Sequence, residues 1–159
     1  MRGSMAPINL AGSVLDRSRH VCAFFSDKQD EYHVLLPFIT EGFERNQKAV
    51  HIVDPNHRIH HLETLARVGI DVARAQATGQ LEVLPWEDAY LRDGYFDQDR
   101  MLGLIEEILK KGKDEGYPLT RLIANMEWAL EEDRPGVETI LEYETKLNYI
   151  LPKYDDAVC

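Results

Sequence analysis

Four histidines cluster between positions 51 and 61, His51, His57, His60 and His61, with Asp54 among them. Imidazoles four apart on a helix can share one metal ion, so His57 and His61 raise the question of a metal centre. At about 100° of rotation per residue, however, His57, His60 and His61 fall well over 100° from the centre of the apolar stripe Ile59, Leu62, Leu65 and Ala66. They are expected to face solvent, and no metal site is expected. His51 alternates within a strand and reads as a satisfied structural histidine.

Carboxylates and rings offer more. In the last helical segment Val137, Ile140, Leu141, Leu147 and Leu151 define an apolar stripe, and Glu144 projects close to its centre with Asn148 one turn on. A carboxylate on a buried face needs a partner, because unpaired it loses several kcal/mol of solvation or is protonated. Glu144 and Asn148 therefore read either as a structural pair or as a pocket floor. Glu127 and Trp128 directly follow one predicted strand, and Trp86 follows another. Tyr90, Tyr95 and Phe96 lie in a long connection that could fold over a cavity between the two tryptophans. The same rings could equally cap a core. No GxSxG elbow or other nucleophile constellation accompanies them, and Cys22 and Cys159 have no metal-type spacing.

The elements that position these residues follow from hydrophobic periodicity. Strands are expected at His20–Phe25, Ala49–Val53, Leu81–Leu84 and Leu119–Asn125, with another beginning at Asp156–Cys159. Helical spacing runs from Tyr32 to Phe43 with Pro37 inside, from Ile59 to Ala66, from Met101 to Leu109, and from Pro135 to Leu151. Strands alternating with helices imply an α/β three-layer sandwich around a mostly parallel sheet. Ligands in such sheets bind beyond the carboxyl ends of the strands, at Phe25 to Glu31, Asp54 to His57, Pro85 to Asp97 and Asn125 to Trp128. A Walker-type loop is lacking: after the first expected strand stands Phe24-Phe25-Ser26-Asp27-Lys28-Gln29-Asp30-Glu31, with no glycine and three acids to repel a triphosphate.

At 159 residues the chain suits one domain. With 44% hydrophobic and 29% charged residues it is neither disordered nor low in complexity, and no apolar run is long enough to cross a bilayer. A net charge of -10 opposes direct nucleic-acid binding. The expectation is a cytoplasmic protein with no membrane contact and no cofactor. Residues 1–19, opening Met1-Arg2-Gly3-Ser4 before a second methionine, read as a leader and flexible arm, and residues 20–159 as the domain.

The run His20-Val21-Cys22-Ala23-Phe24-Phe25, then Asp30-Glu31, Pro37-Phe38-Ile39 and Glu41-Gly42-Phe43, resembles the opening of the MEDS domain, the methanogen, methylotroph and DcmR sensory domain. Tyr90, Gly94-Tyr95-Phe96-Asp97, Met126-Glu127-Trp128, Glu142-Tyr143-Glu144 and Leu147-Asn148 continue the match in order. The resemblance implies a non-catalytic sheet of RecA/KaiC type without a phosphate loop, sensing small hydrocarbon derivatives and controlling transcription through a linked or separate signalling partner. Members of the family continue beyond the equivalent of Cys159, so a stand-alone sensor, a truncated chain and an incomplete domain all remain open readings.

The leading expectation is thus a sensory domain binding a small, mostly apolar organic molecule. Its ligand-binding residues would be Phe25, Glu31, Trp86, Tyr90, Tyr95, Phe96, Glu127, Trp128, Glu144 and Asn148, and a regulatory protein would receive the signal. The alternatives are an interaction module for a kinase or anti-sigma-type regulator, and an enzyme using Glu127 or Glu144 as acid and base.

Overall fold

The computed structural model describes residues 7–16, 19–131 and 133–154, and the backbone of 157–158. Its sheet is assembled from β3 (Lys48–Val53), β4 (Leu81–Pro85), β5 (Thr120–Ala124) and the short β6 (Ala157–Val158), in the order β4-β3-β5-β6. All three pairings are parallel. β3 is buried along its whole length, as its central place requires, and its even residues Val50 and Ile52 face one layer while Ala49 and His51 face the other.

Helices cover both faces. On one side α1 (Lys28–Glu44), α2 (Arg58–Arg67) and α3 (Val72–Ala77) bury Leu35, Phe38, Ile39, Leu65 and Ala75 against Ala49, Leu81 and Ile123. On the other, α4 (Gln98–Asp114) and α5 (Ile140–Ile150) bury Met101, Ile105, Leu109, Tyr143 and Leu147 against Val50, Ile52 and Leu122. Asp27, Asp71 and Asp97 each accept a backbone N–H from the first turn of α1, α3 and α4, satisfying donors that helix geometry leaves free. Pro37 lies inside α1 without interrupting it.

Among the described residues, Lys48 and Arg121 carry cationic groups inside the protein. Lys48 donates to the Gly79 carbonyl, Glu82 and Glu115, and Arg121 donates to Gln47, the Phe38 carbonyl and Glu41. Each cation is thus held by three acceptors, the kind of compensation that a buried charge requires. Gly112 and Gly42 make room for them: a β-carbon at Gly42 would meet the Arg121 stem at 2.8 Å.

Three expectations differ from this arrangement. His20–Phe25 does not join the sheet as a strand; only His20 makes a bridge, and Phe24 is 95% exposed. The segment is apolar enough for a strand, but the described sheet gives it no ladder. Residues 8–15, expected as a loose arm, form an antiparallel hairpin of β1 (Ile8–Leu10) and β2 (Ser13–Leu15). Ile8 and Leu10 are buried in the α1-side core, and Asn9 bonds to Glu41 through both its backbone and its amide. In α2 the buried side is His61 and Leu65, while Ile59 is exposed, so the helix is turned from the stripe that its apolar residues suggest.

Candidate functional site

Eight of the ten expected site residues occupy three separate places. The first is an aromatic cage on the α4–α5 side of the sheet. The connection from Trp86 to Asp97, expected as a loop that could fold over a cavity, is folded inward in two short 3₁₀ turns, burying Trp86, Ala89, Tyr90, Leu91 and Phe96. Tyr90, Phe96, Trp128 and Tyr143 then meet ring to ring, with centroids 5.0 Å apart for Tyr90 and Trp128 and 5.4 Å for Phe96 with both Trp128 and Tyr143. Tilted and edge-on contacts of this kind are favourable. All four rings are buried, so the cage is closed to solvent.

One polar group in the cage is unanswered. Trp128 is fully buried, and its Nε1–H has no hydrogen-bond partner among the described residues. Buried indole donors ordinarily find an acceptor. Trp86 does, donating to the Asn125 carbonyl at 3.0 Å. Burial pushes the Tyr90 hydroxyl well above the ordinary phenol range, with Tyr143, Glu144 and Cys22 adding to the rise, and burial likewise raises that of Tyr143. Both remain neutral donors at physiological pH. Tyr143 was not singled out as a site residue from sequence, although its place beside Glu144 on the apolar stripe was the available signal.

The second place is a narrow cleft at the carboxyl ends of β3 and β5, lined by Lys28, Glu31, Tyr32, Asp54, His61 and Asn125 among others and enclosing about 30 Å³. That is room for one water. Lys28 bridges Glu31 at 2.8 Å and Glu127 at 2.7 Å, which brings the two expected carboxylates to one cation. Burial opposes the Lys28 charge, but the two carboxylates outweigh it and hold its pKa above the usual lysine value. His61, expected in solvent, is 6% exposed and sits between Tyr32 Oη at 2.7 Å and His51 Nδ1 at 2.8 Å. The far nitrogen of His51 lacks a partner among the described residues. Burial lowers His61 to about 4 and His51 well below the ordinary imidazole range, and Tyr32 is raised by burial to about 12. The relay Tyr32–His61–His51 is therefore neutral. His57 does face solvent, paired with Asp54 at 2.8 Å.

The third place is the inner edge of α5. Glu144 accepts from His20 Nε2 at 2.8 Å and from Cys22 Sγ at 3.5 Å, while Asn148 Oδ1 lies 3.1 Å from His20 Nδ1. His20 and Cys22, two residues apart, both reach the same Glu144 oxygen. The carboxylate on the helix's inner side thus has the partner that its position demanded. Its hydrogen bond raises the His20 pKa, against the effect of burial.

Tyr95 and Phe25 stand apart from all three. Tyr95 is partly exposed with Arg100 stacked over it at 5.0 Å, and Phe25 packs half-buried against the α1-side core. Among the described residues no helix is long and apolar enough to cross a membrane.

The chain is similar to the transcriptional repressor DcmR of Methylorubrum extorquens, with 29% identity over 146 residues, covering 92% of this chain and 52% of the repressor. It spans about half the length of that curated relative. No solved structure matches. The family model for the methanogen/methylotroph, DcmR sensory domain matches residues 19–159, and by that match the chain belongs to the MEDS family of sensory domains.

Proposed function

We propose that this chain is a non-catalytic sensor that binds a small, mostly apolar organic molecule within the cage of Tyr90, Phe96, Trp128 and Tyr143, and that it passes the state of the cage to a regulatory protein partner or linked module. The observation that carries this reading is the Trp128 Nε1–H, which has no partner among the described residues, inside a shell of rings. An apolar box with one free donor suits a ligand with an apolar body and one acceptor atom. Of the remaining expected residues, Trp86 packs in the same core, Glu31 and Glu127 tie α1 to the β5 exit through Lys28, Glu144 and Asn148 bond to His20, and Tyr95 and Phe25 take no part.

Because the rings already meet one another in the cage, a ligand displaces at least one of them. The connection Trp86–Asp97 is the element that yields, and it is tied to the start of the α5 segment by the Phe96 N–H donating to the Pro135 carbonyl at 3.0 Å. Ligand binding then favours one arrangement of loop and helix over another, which is the condition for a conformational signal. The parallel order β4-β3-β5-β6, with helices on both faces, supports kinship with RecA/KaiC sheets. The DcmR relative supports a transcriptional output and a cytoplasmic setting, supplied by residues or partners outside those described.

The test is a titration with short-chain halides, alcohols and amines, read by tryptophan emission and by hydrogen exchange at residues 86–97. One class is expected to change Trp128 emission saturably and to alter exchange in that segment, and Tyr90→Ala is expected to weaken the response. Absence of any saturable change across the panel would overturn the reading.

A further inference from the structure

We infer that His20, Cys22 and Glu144 form a binding site for one divalent transition-metal ion of the zinc type. The site rests on its own residues and does not depend on the sensing reading. His20 Nε2, Cys22 Sγ and a Glu144 oxygen lie within 4.8 Å of one another, with His20 2.8 Å and Cys22 3.5 Å from the same Glu144 oxygen. Zinc bonds of about 2.0 to 2.3 Å in a tetrahedron separate ligand atoms by about 3.4 Å, so small side-chain rotations bring this set onto an ion.

The donor set decides the metal class. A thiolate and an imidazole with one carboxylate suit zinc, or cobalt as its substitute, and disfavour magnesium and calcium, which prefer oxygen alone. Asn148 supplies the outer support: its Oδ1 accepts from His20 Nδ1–H at 3.1 Å, leaving Nε2 as the coordinating nitrogen. Its amide also donates to the Glu144 carbonyl one turn earlier, which holds it in place. Two parts of the chain thus converge, the segment before α1 offering His20 and Cys22 and the helix α5 offering a carboxylate and its orienting amide. On binding, the ion takes the place of the Nε2 and Sγ protons, which pass to solvent, and three protein ligands leave a fourth position for water or another donor.

The experiment uses the full chain, stripped with a chelator and titrated with cobalt(II) and then zinc(II), with no organic ligand present. One equivalent of cobalt is expected to bind with a thiolate-to-cobalt charge-transfer band, and zinc is expected to displace it. Cys22→Ser is expected to abolish the band and Cys159→Ser to leave it. Asn148→Ala is expected to retain the band while weakening affinity by about 10- to 100-fold, the range for loss of an outer-shell partner. Far-ultraviolet circular dichroism of each variant establishes folding. No stoichiometric cobalt uptake by the folded protein, or a band that survives Cys22→Ser, would overturn the inference. The sensing reading would be untouched by either result, because its readout is Trp128 emission with organic ligands.

Discussion

Gly136 lies against the backbone carbonyl of Phe96, with no room between them for a β-carbon. Its φ of 90° is also one that side-chain-bearing residues rarely adopt. The contact fastens the inward-folded connection to the turn that begins the last helical segment, beside the hydrogen bond from Phe96 N–H to the Pro135 carbonyl. Gly136→Ala is therefore expected to destabilise the fold by about 2 to 4 kcal/mol, combining backbone strain with overpacking. Gly103→Ala is the contrasting case, since its β-carbon would meet nothing within 4 Å inside α4. That change is expected to stabilise by about 0.5 to 1 kcal/mol. Urea unfolding of the two variants checks both signs, and a neutral Gly136→Ala would remove the fastening role.

The two tryptophans that follow strands β4 and β5 differ in one atom's surroundings. Trp86 Nε1–H is answered by the Asn125 carbonyl, whereas Trp128 Nε1–H is not answered among the described residues. Replacement by phenylalanine removes the donor in both. At Trp86 it leaves a carbonyl short of a partner, a further loss of about 1 to 3 kcal/mol, while at Trp128 it removes an unsatisfied group. Trp86→Phe is expected to be the more destabilising of the two in thermal or urea unfolding. Under the sensing proposal Trp128→Phe is the one that weakens ligand binding. Equal losses of stability would show that the indole donors are not what separates the positions.

How far these places could be read beforehand depended on whether a local pattern or a distant contact decided them. The strands Lys48–Val53, Leu81–Pro85 and Thr120–Ala124 lie within a residue of their expected bounds, because continuous apolar runs bounded by turns reflect burial on both faces. Glu144 drew notice as a carboxylate on a buried stripe, yet its partners His20 and Cys22 stand more than a hundred residues away, and nothing local announces them. His61 was misplaced for the same kind of reason. The side of α2 that turns inward is set by Tyr32 and His51, which offer hydrogen bonds that an apolar-stripe argument leaves out. Ile59 is exposed accordingly, and Leu141 is exposed on α5 although the stripe included it.

The buried histidine pair is expected to make the fold sensitive to acid. His61 has its pKa lowered by burial to about 4 and His51 lower than the ordinary value by burial and by His61. The unfolded chain takes up protons near an imidazole pKa of about 6.5, while the folded chain resists them, so stability rises with pH in this range. The contribution is complete above about pH 6.5 and is lost as the pH falls toward 4, amounting to about 3 kcal/mol for His61 alone. Urea midpoints measured from pH 7.5 to 4.5 are expected to fall, and His61→Gln is expected to flatten that slope. An unchanged slope in the variant would assign the acid sensitivity elsewhere.

Arg121 and Glu41 give the sharpest stability test, because one is a buried cation and the other its anion. Arg121 is 2% exposed, with its guanidinium over the Phe38 ring at 4.6 Å and its NH2 group 2.7 Å from Glu41. Glu41 also receives Asn9 from the hairpin and Arg45 from the end of its helix, and the bonds from Arg121 and Asn9 hold its pKa below the usual value against the effect of burial. Removing the carboxylate leaves a charge inside the protein without its counter-ion, which destabilises by about 3 to 5 kcal/mol. Glu41→Ala is expected to fall in that range and to speed hydrogen exchange at Asn9. Arg121→Met removes the buried charge and keeps much of the stem's packing, leaving Glu41 with Arg45 and Asn9, so its loss is expected to be smaller. The double variant is then expected to be more stable than Glu41→Ala alone, since the orphaned guanidinium is gone. If the double variant is instead the less stable of the two, Arg121 stabilises through its contacts with Gln47 and the Phe38 carbonyl, and the ion pair with Glu41 is secondary.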